Sequence, residues 1–315
     1  MASWQAYIAV WTLKRRFKPR LARAGADVSR MRKLMTPPPF RVPRGVTVTP
    51  AHVGGIAGEW VEPTGGGRHT LLYLHGGGYF ACSAETHRPI TAGFAQQGFR
   101  VFAPDYRLAP EHPFPAAVDD AVAVYRGLIE HGLIEQGLIG SRHLPRQIVV
   151  AGDSAGGGLA LALLVASRDR GDPLPAAAAL FSPWTDLAAT GDSIRLNDRR
   201  CAMFVGAQIG PGARRYLGGE DPRSPLASPL YADLSDFPPL LIHVGRDEVL
   251  LDDSRRLAER ARAAGVAVDL KIWPVVPHAW QIIYPAVPEA RQSISEASAF
   301  LNAAVRARQA AGVRA

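Results

Sequence analysis

The sequence predicts an α/β fold, a mostly parallel sheet with helices on both faces. Three observations carry that expectation. Short apolar segments recur along the chain, helix-period segments alternate with them, and a length of 315 residues, 47% of them hydrophobic, suffices for one large core. Strands that are apolar on both sides belong inside a sheet covered on both faces, and the helices between them supply the crossovers that parallel pairing needs.

Taken in order, the first 40 residues read as helical, with Trp4, Ile8, Trp11 and Leu21 at near-helical spacing, until Pro37-Pro38-Pro39 ends the pattern. Extended segments at 47–49 and 57–61, joined through Gly54-Gly55, predict an antiparallel hairpin at a sheet edge. Strands follow at 70–74, 100–104, 147–151, 177–181, 240–244 and 268–272, with helices at 86–97, 115–130, 155–170, 252–264 and 288–308. Residues 187–236 separate two strands by far more than a crossover helix requires, so they read as an insertion. Its Phe204, Val205, Ile209 and Tyr216 are candidates to cover a site, and the N-terminal residues could join them as a lid. The partition expected is an N-terminal cap segment (1–45), a first part of the core (46–186), a cap insertion (187–225) and a second part of the core (226–315).

Composition removes other classes. Disorder, collagen and coiled coil do not fit it, and no apolar run reaches the roughly 18 residues of a membrane-spanning helix. Cys82 and Cys201 cannot make a disulfide framework and lack zinc-site spacing, which suits a reducing cytoplasm. Apolar residues precede basic ones at the N-terminus, the reverse of a secretory signal, so no export is expected. Residues 14–33 hold nine basic side chains against the single acid Asp27, a surplus equal to the net charge of +8 for the whole chain. The expectation is a solvated cationic face on a helix whose aromatic stripe packs on the domain; contact with an anionic membrane surface is the lesser alternative. No zinc finger, RNP or helix-turn-helix signal supports nucleic-acid binding.

Chemistry is suggested first by Gly152-Asp153-Ser154-Ala155-Gly156, a G-x-S-x-G between an apolar strand and a helical run. In that context the serine occupies a strained strand-to-helix turn with small neighbours, the requirement for a nucleophile elbow. Another strand ends in His75-Gly76-Gly77-Gly78-Tyr79, where glycines allow main-chain N–H groups to point into a cavity. Gly77, Gly78 and Ala155 are the candidate oxyanion donors. Phosphate-loop patterns are absent from this stretch. In a nucleophile-elbow fold the acid follows a late strand and the histidine follows the last one. Those loops hold Asp247-Glu248 and His278, and adjacent carboxylates cannot both face one imidazole. Of the other histidines, His75 reads as an orienter of its own loop, while His87, His112 and His243 read as structural.

With His75-Gly76-Gly77-Gly78, Tyr106-Arg107-Leu108-Ala109-Pro110-Glu111, Gly152-Asp153-Ser154-Ala155-Gly156-Gly157 and Ser182-Pro183-Trp184 in this order, the chain from about 45 to 300 resembles the hormone-sensitive-lipase-like branch of the α/β-hydrolases, the bacterial family IV carboxylesterases. The resemblance implies an α/β-hydrolase fold with an eight-stranded sheet, a helical cap, no cofactor and no metal, and hydrolysis of short- to medium-chain esters. It implies a supporting loop network for Asp105, Tyr106 and Arg107. The family's D-x-L-x-D acid motif is matched in register by Glu248-Val249-Leu250-Leu251-Asp252, which favours Glu248, with Asp247 as the alternative. Ser154, Glu248 and His278 are thus the expected catalytic set, and Tyr79, Phe204 and Trp280 are candidate substrate contacts. A lactone hydrolase using the same triad, and a non-catalytic small-molecule binder, are the rival readings. Expected partners are a small ester or lactone and, optionally, a second copy of the chain in a homodimer.

Overall fold

The structure is a computed structural model that describes residues 2–135 and 148–312. It opens with α1 (Trp4–Thr12), a π-helical turn (Leu13–Phe17), α2 (Lys18–Ala24) and α3 (Val28–Met35). Then come β1 (Val46–Val53), β2 (Ile56–Pro63), β3 (His69–Leu74), α4 (Arg88–Gln96), β4 (Phe99–Pro104) and α5 (Ala116–Glu135). The second half runs β5 (Ile148–Asp153), α6 (Ala155–Asp169), β6 (Ala178–Phe181), α7 (Ser193–Leu196), α8 (Ile209–Leu217), β7 (Leu240–Gly245), α9 (Leu251–Ala263), β8 (Val268–Trp273) and α10 (Pro288–Gly312). The expected start of the fifth core strand at Gln147 lies outside the described residues.

The strands form one eight-stranded sheet in the order β1-β2-β4-β3-β5-β6-β7-β8. The edge hairpin is antiparallel, β2 meets β4 antiparallel, and every other pair is parallel. Alternation along each strand feeds two cores. Leu72, Leu74 and Val150 join α5, α6 and α9 on one face, while Leu71, Tyr73, Val149 and Ala151 join α4 and α10 on the other. The run of small and aliphatic residues from Ala155 to Ser167 is buried throughout, which places α6 at the centre of the first layer.

Two segments lie over the C-terminal ends of the parallel strands. The β6–β7 connection, with α7 and α8, is tied to the start of α9: Asp253 accepts the amides of Thr185 and Asp186 at 2.8 and 2.9 Å, and Asn197 donates to the carbonyls of Arg246 and Glu248. Burial lifts the Asp253 carboxyl to about 7, against those two amides and with the neighbouring Asp186 charge adding to the rise. The N-terminal helices are held at three points. Ser3 caps α1 and donates its amide and hydroxyl to Glu289 at 2.6 and 2.7 Å, Lys18 reaches the carbonyls of Asp198 and Cys201, and Arg32 forks onto Glu111 at 2.8 and 2.6 Å.

One expectation fails here. The aromatic stripe of α1 does not pack on the domain: Trp4, Tyr7, Ile8 and Trp11 are 68, 58, 53 and 56% exposed. In α1 only small Ala6 is buried, packed in a cluster with the large rings of Trp273 and Trp280, so the helix meets the domain through its small-residue face. Leu21 does turn inward, against Met31, Phe80 and Ala81. Among the described residues, no helix is long and apolar enough to cross a membrane.

Candidate active site

Backbone crowding builds the site. Ser154 follows β5 with φ 53° and ψ −122°, a strained conformation for a residue bearing a Cβ, and its amide donates to Phe181 O at 2.8 Å. The turn lies so close to β3 that a Cβ on Gly156 would stand 2.0 Å from Leu74 O, and one on Gly152 2.4 Å from Gly156 O. The G-x-S-x-G spacing is therefore a steric requirement of this crossing.

The loop after β3 is locked to the same turn. Asp153 accepts from Tyr73 Oη at 2.7 Å and from Gly76 N at 2.9 Å, and His87 Nε2 stands 3.3 Å from it. Burial would raise this carboxyl, but His87, Tyr73 and Gly76 outweigh burial and hold it below the usual carboxylate range. Tyr106 stacks on His75 at 4.2 Å and donates to its carbonyl at 2.7 Å, and Ala84 N donates to Asp105 at 2.7 Å. Arg107 pairs with buried Asp120 at 2.6 Å. His75 is depressed to about 3, by burial first and then by neighbouring His87. Gly77 and Gly78 run at φ 121° and 64°, backbone that suits glycine. Among the described residues, the amides of Gly77, Gly78 and Ala155 donate to no protein acceptor.

The two neighbouring acids of the β7–α9 loop part company. Glu248 is buried and its Oε2 lies 2.5 Å from His278 Nδ1; its Oε1 accepts from Ser182 Oγ at 2.7 Å and Gly245 N at 2.5 Å. Asp247 turns outward beside Arg246 at 3.7 Å. The other imidazole nitrogen, His278 Nε2, is buried without a hydrogen-bond partner. Ser182, in the Ser-Pro-Trp motif, has a role that its place in the sequence does not reveal: its hydroxyl donates to Glu248 and also accepts from Ala279 N at 3.3 Å.

Ser154, His278, Gly77 and Gly78 line one cavity of about 510 Å³. Its walls are mostly apolar: Leu13, Phe17, Leu21, Met31 and Met35 from the N-terminal helices, and Met203, Phe204 and Ile209 from the insertion. Phe204 meets the His278 ring edge-on at 4.9 Å. Two candidate contacts lie elsewhere. Tyr79 is buried behind the wall, stacked on Tyr216 at 3.7 Å, and Trp280 is buried in the cluster under α1 with its Nε1 donating to Glu289 O at 3.1 Å. Both sit beside glycine loop or histidine in sequence, but positive φ at Tyr79 and Ala279 turns the chain so that the rings enter the core. His87, expected to be structural only, also lines the cavity. The wall residues of α1 to α3 escaped sequence reasoning because helical periodicity does not say what a helix face meets.

With this geometry in hand, likenesses to known proteins give the class. Residues 71–282 match the family of α/β hydrolase fold proteins. An acetyl-hydrolase of Streptomyces hygroscopicus is 47% identical over 264 residues, 84% of each chain. The crystal structure of the esterase EstE5 soaked with p-nitrophenyl butyrate superposes with a TM-score of 0.87 at 41% identity, covering 97% of this chain and all (100%) of that one. An esterase from the bacterial hormone-sensitive lipase family superposes with a TM-score of 0.86 at 40% identity, covering 97% and 99%. The chain belongs to the α/β-hydrolase fold family, in its hormone-sensitive-lipase-like branch of carboxylic ester hydrolases.

Proposed function

We propose that the protein is a serine esterase that hydrolyses short- to medium-chain carboxylic esters through an acyl-enzyme. The observation that carries this reading is the buried Glu248–His278 pair, 2.5 Å apart, sharing a cavity with Ser154 while the outer imidazole nitrogen remains unpartnered. With Nδ1–H donated to Glu248, Nε2 keeps its lone pair and serves as general base toward Ser154. The serine oxygen attacks the ester carbonyl, and the amides of Gly77, Gly78 and Ala155 stabilise the developing oxyanion. His278 returns the proton to the leaving alkoxide. Water then attacks the acyl-enzyme with the same proton relay, releasing the acid and restoring Ser154.

Residues 1–45 and 187–225 act as the cap over a core made of 46–186 and 226–315. An apolar cavity of about 510 Å³ suits the acyl chain of a small ester and lies within the size range of small-ligand sites.

The test is hydrolysis of p-nitrophenyl butyrate. Ser154→Ala is expected to lower kcat by up to about a millionfold and Glu248→Gln by roughly ten-thousandfold, by analogy with other triads. Asp247→Asn is expected to stay within about twofold, since its half-exposed carboxylate pairs with Arg246 at 3.7 Å and not with His278. Retained turnover in Ser154→Ala would end the proposal, and a larger loss for Asp247→Asn than for Glu248→Gln would reassign the acid.

A further inference from the structure

We propose that the outer face of α1 and the turn after it form a docking surface for an anionic phospholipid bilayer. The argument begins with what this helical run does on its two sides. Leu13, Phe17 and Leu21 face inward and line the cavity, while Trp4, Tyr7, Ile8 and Trp11 form a stripe exposed to solvent. Scattered exposed apolar residues need no explanation, but two indoles, a phenol and an isoleucine on successive turns of one helix make a continuous patch. Trp and Tyr are the side chains that suit the headgroup level of a membrane, with apolar rings and one polar edge.

Charge identifies the occupant. The stripe runs directly into exposed Lys14, Arg15, Arg16 and Arg20, none of which has an acidic partner among the described residues. The segment 14–33 carries the whole net charge of +8. A second copy of the chain seated on this face would bring two such clusters together and be repelled, whereas anionic headgroups neutralise them. The helix is also held firmly enough to serve as a platform: Ser3 is fixed to Glu289, and Lys18 to the carbonyls of Asp198 and Cys201. A bilayer on the stripe lies one helix thickness, about 10 Å, from the cavity wall, which would favour esters dissolved in the membrane as substrates. The docking surface itself does not rest on the esterase reading.

The experiment is co-sedimentation of the full chain with vesicles of equimolar phosphatidylcholine and phosphatidylglycerol, with pure phosphatidylcholine vesicles in parallel. Binding is expected to the anionic vesicles and to weaken as salt rises. The triple variant Lys14→Gln, Arg15→Gln, Arg16→Gln should bind roughly 100-fold more weakly, at about fivefold per cation near the surface. Trp4→Ser with Trp11→Ser should lose at least about tenfold. Both variants should hydrolyse dissolved p-nitrophenyl butyrate like the parent, since none of these side chains lines the cavity. An intact protein left in the supernatant, binding unmoved by both variants, or a solution dimer that the tryptophan variant splits would each overturn the proposal. Vesicle binding by a chain without esterase activity would uphold the docking surface and defeat the proposed function alone.

Discussion

At the floor of the cavity backbone meets backbone, whereas at its roof side-chain tips meet each other. A Cβ on Gly77 would stand 2.0 Å from Ala81 O, and one on Gly156 2.0 Å from Leu74 O. In the roof, a Cβ on Gly212 of α8 would meet nothing nearer than the Trp184 ring at 3.6 Å, an ordinary contact. The roof is otherwise made of Leu13, Phe17, Met31, Met203 and Phe204, flexible or rotatable groups that repack readily. The difference separates two tasks. In the proposed reaction, positioning a nucleophile and amide donors demands fixed backbone, since small displacements of reacting groups are costly in rate. Enclosing an acyl chain demands only apolar area of about the right shape, so the roof can vary while the chemistry beneath stays in place.

Three substitutions probe that contrast. Gly156→Ala should have the largest effect, a loss of more than about 3 kcal/mol in urea unfolding together with loss of turnover, because the β3 backbone cannot move aside. A near-normal stability there would mean that the floor is as adaptable as the roof.

The next effect is a histidine titration seated in the core, since none of the nine histidines lies in 1–45 or 187–225. His243 on β7 is buried, donates to or accepts from Ser293 Oγ at 2.8 Å, and is depressed to about 4, by burial first, with Glu296 opposing and Lys271 adding. The unfolded chain takes up this proton near 6.5, while the folded one resists until about 4. Proton uptake therefore favours unfolding, and the contribution is fully present above 6.5 and lost as pH falls toward 4. On the order of 3 kcal/mol is at stake, and His75, depressed to about 3, acts in the same direction. Melting temperature against pH should fall less steeply for His243→Asn than for the parent; equal slopes would refute the assignment.

The smallest effect belongs to the roof. Gly212→Ala sits inside α8, where the added Cβ makes only an ordinary contact with the Trp184 ring at 3.6 Å, and should raise stability by about 0.5–1 kcal/mol through helix propensity. A destabilisation as large as that of Gly156→Ala would erase the distinction between floor and roof.

Local rules made the floor readable in advance. The strand before Ser154, the small residues around it and the glycine run after β3 are contiguous in sequence, and their spacing reflects contacts that only small residues permit. The choice between Asp247 and Glu248 turned on a register match, and the physical decision came from elsewhere. Gly245 N and Ser182 Oγ hold the Glu248 carboxylate toward His278, and Ser182 is 66 positions away. Tyr79 and Trp280 misled because proximity in sequence to a site residue does not set the direction of a side chain after a positive-φ turn.

Sequence alone determined the alternation of strands and helices, the crowded serine turn and the chain order of the site loops, because periodicity and steric exclusion act between near neighbours. Tertiary structure alone decided what holds Glu248 toward His278, which aromatic rings line the cavity and which face of α1 remains in water. The face of α1 that meets Trp273 and Trp280 is the one bearing small Ala6, and a contact between residues more than 260 positions apart leaves no trace in local pattern.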